Sequence, residues 1–147
     1  MAKIFRSIVV NAPADEVWAV ARDFDGLPGW IPAIQASEIT NGKASDQIGA
    51  IRSLTLGPDI PPVVESLLEL SDAKRSVTYD ILESPIGVDN YVATLTVTPV
   101  TADGSSFVSW AADFDPAPGF EAGERAEFVG NEVFGAGLAA LKAKLEG

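Results

Sequence analysis

Hydrophobic and polar positions alternate with a period of two through most of this chain and change to a helical spacing at two places. Lys3 to Val10 (KIFRSIVV) is rich in β-branched residues and stops at Asn11-Ala12-Pro13, which predicts a strand followed by a helix start. Pro13 suits the first helical turn, and Asp15 and Glu16 favour the positive end of the helix dipole. Val17, Trp18 and Ala21 recur at helical spacing, so a helix is predicted over about 14–22. Asp23 to Pro32 (DFDGLPGWIP) holds too many Gly and Pro residues to prolong it and predicts a second, short helical turn.

From Ile34 the chain reads as short alternating runs near 34–40, 48–56, 62–70, 75–83, 89–99 and 105–114. Asn41-Gly42, Gly57-Pro58, Ser71-Asp72, Ser84-Pro85 and Asp103-Gly104 supply the turns between them. Beyond Pro116 and Pro118 the composition turns Ala- and Glu-rich, and 121–145 predicts one helix of six to seven turns. The order implies an α+β fold in a single domain over 1–147. A seven-stranded curved antiparallel sheet would wrap around a long C-terminal helix, with two short helices after strand 1.

The phase of each strand says which side chains meet the helix. Tyr91, Ala93, Leu95 and Val97 alternate with Asn90, Thr94, Thr96 and Thr98, so the first set faces inward. The same reading turns Val77, Tyr79 and Ile81 inward, as it does Val108, Trp110, Ala112 and Phe114. In the strand near 48–56 it turns Arg52 inward with Leu54. A hairpin about Gly57-Pro58-Asp59-Ile60 pairs residues whose numbers sum to about 117, which sets Arg52 opposite Glu65. Such a pair on an apolar wall can orient the polar end of a ligand. The alternatives are a plain satisfied polar contact, or a register one residue off that turns one partner to solvent. If the pair serves a ligand, its loss should weaken binding more than folding.

The C-terminal helix carries two apolar stripes. Phe134, Leu138, Leu141 and Leu145 form the larger, suited to packing; Ala126, Val129, Val133, Ala136 or Gly137, and Ala140 form the smaller. Small side chains there leave volume for a pocket, although they also permit close helix–sheet packing. Gly123, Gly130, Gly135 and Gly137 predict local kinks. The candidate ligand contacts from the sheet side are Trp30, Leu54, Ile81, Trp110 and Phe114, and from the helix Val129, Val133 and Gly137. The loop from Gly57 to Pro62, with Asp23 to Pro32, should rim the entrance.

Composition narrows the chemistry. The chain has no cysteine and no histidine, which removes thiolate catalysis, zinc–thiolate sites and the usual neutral-pH base. Proton transfer falls to Asp, Glu, Tyr or Lys, with Glu65 or Asp80 as base, Tyr79 or Tyr91 as donor and Arg52 stabilising an enolate. Asp80 is the weaker base, since its phase is outward. No cofactor is expected. A formal charge of −11 argues against nucleic acid and anionic membrane surfaces as partners. No apolar run is long enough for a membrane span or a signal peptide, which makes the cytoplasm the expected location, as a monomer or a homodimer.

Several segments together carry a resemblance over nearly the whole chain: PADEVWAVARDFDGLPGWIPAI, GAIRSLTL, VVESLLELSDAKRSVTYDILESPIGVDNYVATLTV and VSWAADFDP. They resemble the bacterial START-like proteins called polyketide cyclase/dehydrase-like, the SRPBCC group, which share the helix-grip fold of the birch-pollen allergen. The resemblance implies an internal cavity for a small, largely apolar molecule, aromatic or polyketide-like. It leaves open cyclase, dehydratase or lyase chemistry against a non-catalytic carrier or sensor. A third reading, a partner-binding domain with an acidic surface, predicts an interior filled by side chains.

Val64 to Tyr91 is also similar to plant abscisic-acid receptors. There the counterpart of Glu65 meets hormone through water, the counterparts of Tyr79 and Tyr91 line the pocket, and the segment matching Leu56 to Ile60 is a gate. Ile31 stands where those receptors place the lysine that pairs with the hormone carboxylate, and Ile86, Gly87 and Val88 stand where they place a histidine-containing latch. These departures argue against hormone binding and leave Arg52 as the candidate anion or carbonyl anchor.

Overall fold

Alternation of inward apolar and outward polar residues gives each strand one face that must be covered, and the C-terminal helix and the helix after the first strand share that task. The computed structural model describes residues 1–147. Seven strands form one antiparallel sheet: β1 (Ala2–Val10), β2 (Ala36–Ile39), β3 (Ile51–Thr55), β4 (Val63–Ser71), β5 (Ser76–Glu83), β6 (Val88–Val100) and β7 (Ser105–Pro116). Their spatial order is β1-β7-β6-β5-β4-β3-β2. Strands β2 to β7 thus lie side by side in the order of the sequence, and β1 closes the far edge against β7.

Helix α1 (Ala14–Ala21) follows β1, with Ala14, Val17, Trp18 and Ala21 on its buried face. The second helical element predicted after it is a single 3₁₀ turn, Leu27–Gly29; two prolines and two glycines in 26–32 allow no more. Asp72, in the β4–β5 turn, fastens α1 to the sheet. Its carboxylate accepts Trp18 Nε1–H at 2.8 Å and Arg22 Nε–H at 2.9 Å, and those two donors hold it below its ordinary range.

The C-terminal helix is continuous but not uniform. It runs as α2 (Ala122–Phe128), a π-helical segment (Val129–Gly135) and α3 (Ala136–Glu146). Glu121 caps the start by accepting the N–H groups of Gly123 and Glu124 at 3.0 and 2.8 Å. The wider π turn accommodates one more residue than an α turn would, so it rotates everything before it relative to everything after it. Phe134, Leu138 and Leu141 are buried on the core side as the larger stripe predicts.

Gly137 marks a close approach of helix to sheet. A Cβ placed there would come within 2.9 Å of the Trp110 ring, whose indole is itself stacked on Phe134 at 4.5 Å between centroids. Gly137→Ala should therefore destabilise the protein by about 1–3 kcal/mol through overpacking, although alanine is the better helix former by roughly 1 kcal/mol. Chemical denaturation of the two proteins checks the sign; a stabilised variant would mean that the helix lifts freely off Trp110.

Candidate functional site

Between the sheet and the helix lies a cavity of about 420 Å³. Its walls are apolar at the mouth and become polar at the deep end. The mouth is framed by Ile31 to Ile34, Leu56, Ile86 and, on the helix, Phe128, Glu132, Ala136 and Ala140. Leu56 and Val63 line the cavity while the loop between them, Gly57 to Pro62, stands outside it, with 58–62 exposed.

The polar end is built on the β3–β4 hairpin. Arg52 and Glu65 are direct partners in its register, both are buried at 3% and 5% exposure, and both line the cavity. Arg52 donates from Nε to Glu65 Oε1 at 2.8 Å, and its Nη2 lies 2.5 Å from the same oxygen. No other protein donor meets the carboxylate. Burial pushes the Glu65 carboxyl above its ordinary range, and the guanidinium opposes this without cancelling it. Neighbouring Asp80 adds a small push in the same direction.

Arg52 also does something that its sequence position does not advertise. Its Nη1 donates to the Phe24 carbonyl at 2.5 Å, and the guanidinium lies 3.9 Å from the centroid of the Phe24 ring. The segment after α1 is thereby stitched to the sheet through the site. Tyr79 lies beside the pair, its ring centroid 5.0 Å from the guanidinium carbon. Trp110 Nε1–H donates to Tyr79 Oη at 3.1 Å, which leaves the phenol's own proton free for another acceptor. Burial, reinforced by the Glu65 charge, raises the Tyr79 phenol far above its ordinary value, and burial does the same for Tyr91. Both are therefore donors, not bases, near neutral pH.

The four residues singled out for chemistry, Arg52, Glu65, Tyr79 and Tyr91, all line this cavity, as do Leu54, Ile81, Trp110, Val133 and Gly137. Three others do not. Val129 is fully buried and Phe114 nearly so, and neither lies in the wall; Phe114 packs instead against Tyr91 at 6.1 Å. Trp30 lines a separate void of about 20 Å³ beneath the cavity, shared with Phe24 and Arg52, and its Nε1 has no hydrogen-bond partner. Asp80 is outside as its phase predicts, accepting Ser66 N–H at 3.2 Å and the Ser66 hydroxyl.

Val129 is displaced by the π turn. Helical spacing counted back from Val133 at four residues puts Val129 on the cavity face, and the extra residue in the turn sends it to the core. Phe128 and Glu132 line the rim instead, on the row that continues back from Ala140 and Ala136 at four-residue spacing. Ile86 joins them because Arg125 Nη1 donates to its carbonyl at 3.0 Å. An interior filled by side chains, which a purely surface-acting domain would have, is not what this fold contains. No helix is long and apolar enough to cross a membrane.

Comparison with known proteins agrees with this architecture. The family model described as polyketide cyclase/dehydrase and lipid transport matches residues 1–146. Among solved structures, the protein XoxI from Bacillus cereus is 30% identical with a TM-score of 0.87, over 99% of this chain and 96% of that one. A protein from Nitrosospira multiformis is 30% identical with a TM-score of 0.83, over 97% and 95% of the two chains. One from Thermobifida fusca is 32% identical with a TM-score of 0.82, over 99% and 93%. No curated protein matches the chain.

Proposed function

Since the chain belongs to the polyketide cyclase/dehydrase and lipid transport family, we propose that it encloses a small, largely apolar molecule, aromatic or polyketide-like, and catalyses a proton transfer at that molecule's carbonyl end. The observation that carries this reading is one cavity of about 420 Å³ whose apolar walls converge on a single buried polar cluster, Arg52, Glu65 and Tyr79. A volume of this size suits a small metabolite.

The chemistry follows from the free valences. Glu65 meets protein donors only through Oε1, so Oε2 can accept a proton from a carbon next to a carbonyl. The Tyr79 hydroxyl can donate to the carbonyl oxygen as negative charge develops there, its oxygen already polarised by Trp110. Arg52 lends positive charge to the same end while holding Glu65 in place. Cyclisation, dehydration and lyase reactions of polyketide-like compounds all begin with such an enolisation.

The apolar probe 1-aminoanthracene should bind in the cavity, and Ala140→Phe, which fills the mouth from the helix, should weaken it at least tenfold with an unchanged circular dichroism spectrum. Equal affinity in the two proteins would place the probe elsewhere. Mass spectrometry of the purified protein under native conditions identifies any molecule it carries. Deuterium incorporation from D₂O into that molecule, lost in Glu65→Gln with binding retained, selects the enzyme; retained binding with no incorporation in either protein selects a carrier or sensor.

A further inference from the structure

The β5–β6 hairpin unzips before it reaches its turn. Its ladder runs from Ser76 and Thr96 to Asp80 and Val92 and ends there, although β5 continues to Glu83 and β6 starts at Val88. Two features hold the ends apart. On one side, Asn90 and Tyr91 bulge between the Asp89–Asp115 and Val92–Asp113 pairs, with Asn90 at φ +53° and its amide donating to Asp115 at 3.0 Å. At the tip, Gly87 and Ile86 are fastened toward the C-terminal helix. Ala117 N–H donates to the Gly87 carbonyl at 3.0 Å, Arg125 donates to the Ile86 carbonyl, and the Phe120 ring lies so near Gly87 that a Cβ there would meet it at 2.9 Å.

The parted strands leave a cleft of about 860 Å³ between them. Its lining includes polar residues from both strands, Asp80, Glu83, Asp89 and Asn90, together with Ile81 and Tyr91. Ile81 and Tyr91 also line the internal cavity. The two spaces therefore adjoin at these two residues. No ladder hydrogen bond crosses the seam beyond Asp80 and Val92, so separating it further breaks none, and such sites are where a fold opens at least cost.

We infer that this seam is a side portal through which water reaches and leaves the polar end of the cavity, distinct from the apolar mouth that admits the ligand. A molecule filling the mouth would otherwise isolate the Glu65 cluster, and a base that has taken a proton it does not hand on to the product must return it to solvent before the next cycle. The polar rim of the cleft favours water over an apolar ligand. The use of the portal in turnover rests on the ligand-binding reading, whereas its existence rests on the strand geometry alone.

The indole proton of Trp110, buried against Tyr79, reports water entry through its exchange rate in the nuclear magnetic resonance spectrum of the full chain. The native chain has no cysteine, so Leu82→Cys with Asn90→Cys, one on each of the parted strands, can be bridged cleanly by a thiol-reactive linker that carries a reducible disulfide of its own. With 1-aminoanthracene filling the mouth, cross-linking should slow Trp110 exchange at least tenfold, and reduction should restore it. Ile81→Ala, which trims one of the two residues where the spaces adjoin, should speed it at least tenfold. Exchange that is indifferent to the cross-link overturns the portal; should the cross-link distort the sheet, an unaltered rate in Ile81→Ala does so. The double variant Ala136→Phe, Ala140→Phe closes the mouth without a ligand, so failure of the probe to bind counts against the ligand-binding reading alone.

Discussion

Arg52→Met is expected to lower the stability of this protein by about 3–5 kcal/mol at pH 7, the loss typical of removing one partner of a buried ion pair. Glu65 would remain at 5% exposure with no cation, and the Phe24 carbonyl, held at 2.5 Å in the native protein, would lose its donor. At roughly 2–4 °C per kcal/mol for a chain of this size, the melting temperature should fall by about 6–20 °C. Urea denaturation of the single variants and of Arg52→Met with Glu65→Leu separates the contributions. The double variant should recover most of the loss, since two apolar side chains replace an unpaired charge, but not the part owed to Phe24, about 1–3 kcal/mol. A single-variant loss below about 1 kcal/mol would mean that water in the cavity solvates Glu65 and that the pair serves the ligand alone. The hold on Phe24 thus adds a structural role to a pair whose sequence pattern left open both a ligand contact and a plain polar one.

Glu65→Gln is expected to remove proton transfer almost completely, by about 10²–10⁴-fold, while the apolar probe still binds. The pH dependence gives a second, independent mark. Burial raises the Glu65 carboxyl above the ordinary carboxylate range against the opposition of Arg52, and a base works only when ionised. The rate should therefore rise with pH through a midpoint above that of an exposed glutamate, and this limb should be absent from the residual rate of the variant. Linkage predicts the reverse slope for stability. Because the folded-state value is the higher one, the contribution of Glu65 is fully present below its unfolded value and is lost as pH rises through its folded value. Wild-type protein should accordingly lose stability relative to Glu65→Gln across that window. A rate midpoint at or below the ordinary value would show that Arg52 outweighs burial.

Much of this could be read before any coordinates, because a two-residue period with one buried face leaves little freedom. Slipping a strand by one residue would expose its whole apolar set, so the inward facing of Tyr79, Tyr91 and Trp110 follows from alternation, and the Arg52–Glu65 partnership follows from alternation and a short turn together. The length of the C-terminal helix follows likewise from composition between Pro118 and Gly147. Most of its cavity-facing residues do too, since Val133, Ala136, Gly137 and Ala140 line the cavity, whereas Ala126 and Val129 do not. The π segment Val129–Gly135 accounts for the exception, burying Val129 although it stands four residues from Val133, and regular helical periodicity contains no signal for that turn. Phe114 and Trp30 were equally beyond pattern: alternation puts a side chain on the inner face, but only the curvature of the sheet decides whether that position meets empty space or a neighbour. Curvature depends on the register shifts at Val64/Glu65, Leu67/Glu69 and Asp89/Val92. Local sequence preferences thus determined the strands, their faces and the long helix, whereas the cavity, its meeting with the cleft at Ile81 and Tyr91 and the hold of Arg52 on Phe24 arose from contacts between residues far apart in the chain, which tertiary packing alone brings together.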